Sequence, residues 1–397
     1  MKTLFITNGN TPFRVHTGGG QRSYNICKVL SELGQVDIIE INKKPISGEK
    51  IDIDVNFVGC LCPKSRKEKI KNTLLRHLFY FIPSLFNIRY FFPYDKEIAN
   101  YIAYLIKDNN YNLVVCRYLA SATTPNLVGE GLKDVNLIID LDDDPVKAFD
   151  IQSQFTNIPI LQKIYKYNIK KFYNFIKKKS SFNLLSNKND INHKSLYYLP
   201  NIPYVTKHDI KRNDNPELSL LFVGQLDYRP NLNGIIHFID NIWPLLITDY
   251  PELKFHIVGK GLPEFYKVKY KNIEGLKFEG FVKDPSHLFT DSMIYVSPIY
   301  EGAGTNIKIL EAMHYEIPIV SSYYSSQGFN EMLKDGENIM IAENDYEFVS
   351  KIKVLIENKM IRDKMASKAK SDLSRFGYTY EEFSKNLKTI IRKLCKI

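Results

Sequence analysis

The sequence predicts an α/β protein with parallel sheets, built as two domains. Three observations predict it. First, the order strand, glycine loop, helix, strand occurs over Lys2 to Ile41 and again over Met293 to Val320. Such an element is a βαβ unit, and its two strands run parallel. Second, other strand candidates are continuous apolar runs, as in Tyr111–Cys116 (YNLVVC) and Leu218–Val223 (LSLLFV). Runs without alternation fit strands covered by helices on both faces. Third, 397 residues suffice for two ordinary domains, and the polar, aperiodic stretch Tyr204 to Glu217 reads as the linker between them.

Composition narrows the class. Hydrophobic residues at 44% and charged residues at 25% describe a globular, not a disordered, chain. Five cysteines (Cys27, Cys60, Cys62, Cys116, Cys395) include no C-x-x-C pair, which argues against a disulfide frame and a structural zinc site. The N-terminus MKTLFITNGN has neither a long apolar segment nor a small-residue cleavage site. No apolar run approaches the ~20 residues of a spanning helix. The expectation is a cytoplasmic protein. Its net charge of +10, from 54 basic and 44 acidic residues, suits nucleic acid, an anionic membrane or anionic substrates. No common nucleic-acid-binding motif occurs, so no nucleic acid is expected as a partner.

In chain order, Lys2 to Thr7 reads as a buried strand, followed by a polar loop and Gly18-Gly19-Gly20-Gln21-Arg22. A helix from about Ser23 to Leu33 places Ile26, Val29, Leu30 and Leu33 on one face, and Gly34 stops it. Gly18, Gly19 and Gly20 read as the lining of a ligand cleft or as an ordinary turn into the helix. Arg22 reads as a phosphate contact or, more simply, as a solvated residue at a helix start.

Residues 64–94 are unusual. Five basic residues between Lys64 and Lys71 precede a cluster of leucines and aromatics ending at Tyr94. That pairing suits contact with an anionic membrane surface. It suits equally a solvated basic face followed by a buried helix. Asn136 to Asp140 reads as a strand that ends in Asp140-Leu141-Asp142-Asp143-Asp144. Asp140, Asp142 and Asp143 are candidates for acceptor contacts, or the turn caps the helix after it. No metal site is expected. Pro159 to Lys179 reads as a basic helix, Phe182 to Ser186 as a short strand.

In the second half, Leu218 to Val223 runs into Gly224-Gln225-Leu226-Asp227-Tyr228-Arg229-Pro230-Asn231. A helix over Asn233 to Leu246, a strand Leu253 to Val258 and the turn Gly259-Lys260-Gly261 follow. Lys260 meets a phosphate or is a solvated turn lysine. Leu276 to Val282 (LKFEGFV) precedes the stretch around which the chain is organised, SPIYEGAGTNIKILEAMHYEIPIVSS, from Ser297 to Ser322. Gly302 and Gly304 let the backbone turn tightly, and Thr305 or Asn306 can cap a helix carrying Ile307, Ile309, Leu310 and Met313 on one face. The start of such a helix gathers free N–H groups and the positive end of its dipole, which suits a phosphate. Glu301 and Glu311 flank it, and carboxylates accept hydrogen bonds from sugar hydroxyls. The physical reading is a site for a phosphate-linked sugar. Helical periodicity over Glu347 to Phe376 and a last helix from Tyr380 close the chain.

The stretch resembles the signature of the retaining group 1 glycosyltransferases (family four). It carries Pro298, Glu301-Gly302-Ala303-Gly304, Glu311-Ala312-Met313 and Ile317-Pro318-Ile319-Val320 in the family's order. Glu301 and Glu311 stand ten positions apart, more than the family's usual spacing; the string GAGTNIKILEA resembles a subgroup from polysaccharide gene systems. The resemblance implies the GT-B fold, two Rossmann-like domains facing across a cleft. The boundaries it implies are 1–203 for the acceptor domain, 204–217 for the linker, 218–376 for the donor domain, and 377–397 for a helix crossing back to the first. It implies a nucleotide-sugar donor as substrate, a glycan or lipid-linked acceptor, no cofactor and no catalytic metal. Gly18, Gly19 and Gly20 would lie near the donor phosphates and the acceptor. Gly224 belongs to the loop that grips the diphosphate; Gln225 stands where the family has arginine, and Arg229 is the nearest replacement. Lys260 lies in the turn beneath the donor, and Phe281 and Val282 pair backbone groups with the base. Lys308 and the amides of Gly302, Ala303, Gly304 and Thr305 would face the diphosphate, Glu311 the ribose, and Glu301 the sugar. The expected activity is retaining, metal-independent sugar transfer. The alternative is a non-catalytic, membrane-associated partner that keeps the fold and binds a nucleotide sugar or glycan without turnover.

Overall fold

The structure is a computed structural model and describes residues 1–41, 51–61, 96–122, 135–152, 159–180, 182–204, 211–302 and 306–395. Residues 64–94, Ala303, Gly304 and Thr305 lie outside the described residues, as does most of 204–210. The chain divides into two compact units, Met1–Pro200 with Tyr380–Ile397, and Asn201–Thr379.

The first unit is a seven-stranded parallel sheet in the order β3-β2-β1-β4-β5-β6-β7. Its strands are β1 (Lys2–Thr7), β2 (Gln35–Ile41), β3 (Asn56–Leu61), β4 (Leu113–Arg117), β5 (Asn136–Asp142), β6 (Phe182–Leu185) and β7 (Leu196–Tyr198). Phe5 stands opposite Ile38 on one side and Val115 on the other. Helices Lys96–Asp108 and Pro159–Lys179 bury Ile98, Ile102, Ile106, Ile169, Phe172 and Ile176 against Leu4, Ile6, Val114 and Ile139. The final helix, Tyr380–Cys395, returns to the first. The Glu32 carboxylate accepts from the Tyr380 hydroxyl at 2.5 Å and from Lys388 at 2.7 Å, and Lys28 lies 4.3 Å above the Tyr380 ring.

One expectation changes here. The first helix spans Gly18–Leu33, so the three glycines form its opening turn and not a loop before it. Thr17 caps it, its hydroxyl accepting from the Gly20 amide at 3.0 Å. A Cβ on Gly20 would stand 1.9 Å from the Arg14 carbonyl oxygen, so close backbone approach is what requires glycine there.

The second unit is a six-stranded parallel sheet in the order β10-β9-β8-β11-β12-β13. Its strands are β8 (Glu217–Val223), β9 (Lys254–Val258), β10 (Leu276–Gly280), β11 (Ser292–Ser297), β12 (Ile319–Ser322) and β13 (Met340–Ala342). Alternate residues of β8 feed opposite cores. Leu220 and Phe222 join Phe238, Trp243, Phe255 and Phe348 on one face, and Leu221 joins Leu310, Met313, Phe289 and Leu373 on the other. A strand covered on both faces reads as an unbroken apolar run, which is why LSLLFV shows no alternation. Each such side chain contributes roughly 1.5–3 kcal/mol by its burial. No helix among the described residues is long and apolar enough to cross a membrane.

Candidate functional site

The order of strands locates the site. In the second sheet the chain runs outward from β8 to β10, then restarts at β11 on the other side of β8 and runs outward to β13. The loops after β8 and β11 therefore leave in opposite directions and open a crevice at the carboxyl ends of the strands. Open α/β sheets bind ligands at that position. The loop after β8 starts at Gly224, and the loop after β11 holds Pro298 to Gly302 and leads to the helix Ile307–His314.

Close backbone packing shapes this crevice. A Cβ on Gly259 would stand 1.8 Å from the Gly224 carbonyl oxygen, and one on Gly261 would stand 2.6 Å from the Asp227 Cβ. The Gly224 amide donates to Val258 O and the Leu226 amide to Lys260 O, both at 2.8 Å; the Gly259 amide donates to Gly280 O at 2.8 Å. The turn after β9 thus props the loop after β8, and Lys260 takes part through its backbone while its side chain is exposed. Phe281 follows Gly280 with its ring about half exposed, and Val282 packs partly into the core below.

Lys308 reaches across the crevice. Its Cε lies 2.9 Å from where a Cβ on Gly224 would sit, so the glycine makes room for the lysine. The side chain is half-buried. Desolvation lowers its pKa, and the attraction of Glu311 offsets this only in part. Glu311 sits one turn further along the same helix, half-buried, where i and i+3 side chains meet.

The residue at the N-cap of that helix uses its side-chain amide elsewhere. Asn306 occupies the N-cap position, yet its side chain makes no capping bond. Its amide instead donates to Ser297 Oγ at 2.9 Å and Ser325 Oγ at 2.6 Å, and these two hydroxyls are themselves 2.6 Å apart. Ser322 Oγ also donates to the Ile299 carbonyl. Ser297 and Ser325 are residues to which the sequence reading gave no role. The asparagine was visible as a cap, but the two serines that divert it lie 9 and 19 positions away.

The remaining candidates line the other wall. Arg229 is exposed at the first position of the helix Arg229–His237, and Asn231 beside it donates to Gln225 O at 2.8 Å. Gly302, at φ 134°, sets its Cα against Pro230 and Tyr228; a Cβ would meet the Pro230 ring and the Tyr228 hydroxyl at 3.4 Å. Glu301 is exposed and accepts a 2.6 Å hydrogen bond from the Asn233 side-chain amide. The structure therefore brings Gly224, Arg229, Gly302 and Glu301 to one crevice with Lys308 and Glu311.

In the first unit the same logic marks the ends of β1 and β4, between which the order of strands reverses. Gly19 lies there: a Cβ on it would meet the Tyr118 hydroxyl at 2.7 Å and the Asn10 side chain at 2.8 Å. Tyr118 and Asp142, at the ends of β4 and β5, adopt φ of 65° and 68°. Such conformations cost about 1–3 kcal/mol each and persist only where surroundings enforce them.

The enforcing structure is a buried ion lattice. Asp140 is fully buried between two fully buried arginines, at 2.7 Å from Arg22 and 2.8 Å from Arg117. Arg117 also holds Asp142 at 2.8 Å, and Arg22 donates to the carbonyls of Leu199 and Pro200. The solvated reading of Arg22 is thereby corrected: the helix turns it inward to neutralise a carboxylate. Asp140 is committed to the arginines and offers nothing to an acceptor. Asp144 caps the helix Pro145–Gln152 through the Val146 and Lys147 amides. Asp143 is half-buried; burial, with the adjacent Asp142 carboxylate, pushes its pKa up to about 7.

Of the comparisons with known proteins, the family match falls in the second unit, while the relatives and solved structures extend over most of the chain. Residues 217–358 match the family described as Glycosyl transferases group 1. A curated relative from Klebsiella pneumoniae, an uncharacterized 44.6 kDa protein in cps region, is 24% identical over 370 residues, covering 89% of this chain and 90% of its own. Sucrose-phosphate synthase of Thermosynechococcus elongatus superposes with a TM-score of 0.68 at 12% identity over 99% of both chains. HepE of Anabaena in complex with UDP-glucose gives 0.64 at 15% identity, over 99% of this chain and 100% of that one. TarM gives 0.57 at 16% identity; the chain spans 57% of its length. Over residues 217–358 the chain is similar to the group 1 glycosyltransferases, and its two parallel-sheet units have the GT-B fold.

Proposed function

We propose that the protein is a retaining glycosyltransferase. It moves a sugar from a nucleotide-sugar donor to a glycan or lipid-linked acceptor in surface polysaccharide synthesis. The observation that carries this reading is the crevice after β8 and β11. Lys308 is drawn there out of water over Gly224, at a helix whose N-cap residue makes no side-chain cap. A desolvated cation next to a helix start that carries no side-chain cap is well suited to a diphosphate.

In this reading Lys308 and Arg229 stabilise charge developing on the leaving diphosphate. Glu311 holds the ribose, Glu301 the sugar hydroxyls, and Phe281 and Val282 the base. Retention follows a front-face course in which the leaving phosphate takes the acceptor proton; no metal takes part. HepE, crystallised with UDP-glucose, makes a UDP-linked donor the first to test. The curated relative in cps region supports the polysaccharide setting. The basic and aromatic composition of residues 64–94 supports a cytoplasmic enzyme that touches an anionic membrane from that side.

The test is a thermal-shift screen of the full chain against UDP, GDP, ADP, CMP and their sugar derivatives, followed by a donor-turnover assay. A ligand of the native state raises the melting temperature. The expected result is a shift with one nucleotide class, abolished in Lys308→Met and Arg229→Ala, and release of that nucleotide on turnover. Folded protein that responds to none of them overturns the donor site. Binding without turnover favours the non-catalytic partner.

A further inference from the structure

We propose that Asn233 is the positioning residue for Glu301, so that the helix Arg229–His237 sets how the site reads the transferred sugar. The inference rests on the donor-site reading above and deepens it.

Glu301 stands on a loop whose backbone accepts hydrogen bonds from the Ser322 hydroxyl at Ile299 O and the Tyr324 hydroxyl at Gly302 O. Its side chain is exposed, and it follows Pro298, Ile299 and Tyr300 out of the sheet. The loop is held from one side by the first turns of the helix Arg229–His237, at three places. A Cβ on Gly234 would stand 2.0 Å from the Pro298 carbonyl oxygen, so helix and loop backbones are in direct contact there. Gly302 lies against the Pro230 ring and the Tyr228 hydroxyl. Between these two contacts, Asn233 Nδ2 donates to Glu301 Oε1 at 2.6 Å. The backbone contacts place the loop; the asparagine amide is what orients the carboxylate.

The chemistry of the pair fits that role. An ionised carboxylate only accepts, and an amide N–H bound to one oxygen leaves the second free for a sugar hydroxyl. A carboxylate fixed in advance also loses less freedom when the hydroxyl binds. Asn233 touches no reacting atom in this account; it acts through Glu301.

The experiment compares UDP with UDP-glucose by calorimetry on the full chain. Wild type, Asn233→Ala, Glu301→Ala, the double variant and Asn233→Asp are measured. The expected result is an unchanged UDP affinity in all variants. The advantage of UDP-glucose over UDP falls about tenfold in Asn233→Ala, the loss of one charge-assisted hydrogen bond. The double variant loses no more than Glu301→Ala alone, because the asparagine has nothing left to position. Asn233→Asp sets two carboxylates in contact. They share a proton as pH falls, so its UDP-glucose advantage returns towards acid pH. An Asn233→Ala variant that keeps the wild-type advantage, or weakens UDP equally, overturns the inference; so does additivity in the double variant. Wild-type protein that binds UDP but gains nothing from the glucosyl group overturns the inference and leaves the donor site standing. Wild-type protein that binds neither overturns the inference, and the donor site falls with it when GDP, ADP, CMP and their sugar derivatives fail to bind as well.

Discussion

Lys308 gives the sharpest test of the donor site, because stability and activity should move in opposite directions when its charge is removed. The perturbation is Lys308→Met, which keeps most of the apolar stem that lies over Gly224. In the folded chain desolvation lowers the ammonium pKa more than Glu311 raises it. The charge therefore costs free energy in the unliganded protein, and a methionine does not incur that cost. The melting temperature of the variant should equal or exceed that of wild type. The folded-state ammonium also releases its proton at a lower pH than the unfolded one. Wild type should thus recover stability against the variant as pH rises through that window, which ends at about pH 10.4. Activity should fall. A unit charge about 4 Å from a phosphate oxygen contributes about 4 kcal/mol at an effective dielectric of about 20. Losing one preorganised group facing developing charge lowers kcat by about 100- to 1000-fold. The assays are differential scanning fluorimetry without ligand and kcat/KM for donor turnover. A variant that loses several degrees together with its activity would show a structural lysine. One that keeps its kcat/KM within about threefold would refute the diphosphate role.

Four further substitutions follow from the geometry. Asp140→Asn strands two buried arginines, and urea unfolding followed by circular dichroism should show a loss of about 3–5 kcal/mol in the first unit. Asp143→Asn should leave stability nearly unchanged below pH 4. Its folded-state pKa of about 7 lies above the unfolded value, so wild type loses stability as pH rises to 7. At pH 8 the asparagine variant should be the more stable by about 2 kcal/mol by urea midpoint, after allowance for partial exposure. Gly259→Ala drives a methyl against a backbone carbonyl at 1.8 Å and should unfold the second unit at lower urea, by several kcal/mol on the scale of about 1–3 for overpacking or more. Gly224→Ala meets Lys308 Cε, Asn231 Nδ2 and the buried Phe222 ring, each at 2.9 Å; it should weaken UDP binding by calorimetry and lower the urea midpoint of the second unit as well.

What could be read from the sequence was what is local. The β11 to β12 segment was legible because its apolar strand, glycines and helical spacing all fall within thirty residues of one another, and each has its own pattern. The same holds for β1, the first helix and β2. The strand β3 and the helix Lys96–Asp108 were not read at all; both flank residues 64–94, whose run of basic and aromatic residues drew the attention. Gly18–Gly20 were read as a loop because glycine is a poor helix former. A helix start can hold them nonetheless when a cap at Thr17 and the backbone of Arg14 dictate the approach.

The harder failures concern polar side chains, and they share one cause. Arg22 pairs with Asp140 across 118 positions, and Arg117 with Asp142 across 25. Nothing in either string signals the other. An arginine near a helix start reads as solvated, and an aspartate at a strand end reads as a ligand, because each is judged with water as its partner. Folding replaces water with whatever the sheet order brings alongside. The β1–β4–β5 adjacency carries the first helix and both strand ends to one place, and there two positive and two negative charges leave water together. Burying any one of them alone would cost several kcal/mol. Asn306 follows the same rule on a smaller scale. Its amide goes to Ser297 and Ser325 because β11 and β12 are neighbours, and it makes no side-chain cap on the helix beside Lys308. Apolar spacing thus locates the crevice from sequence, while the topology of the sheet decides which polar groups remain free to act in it.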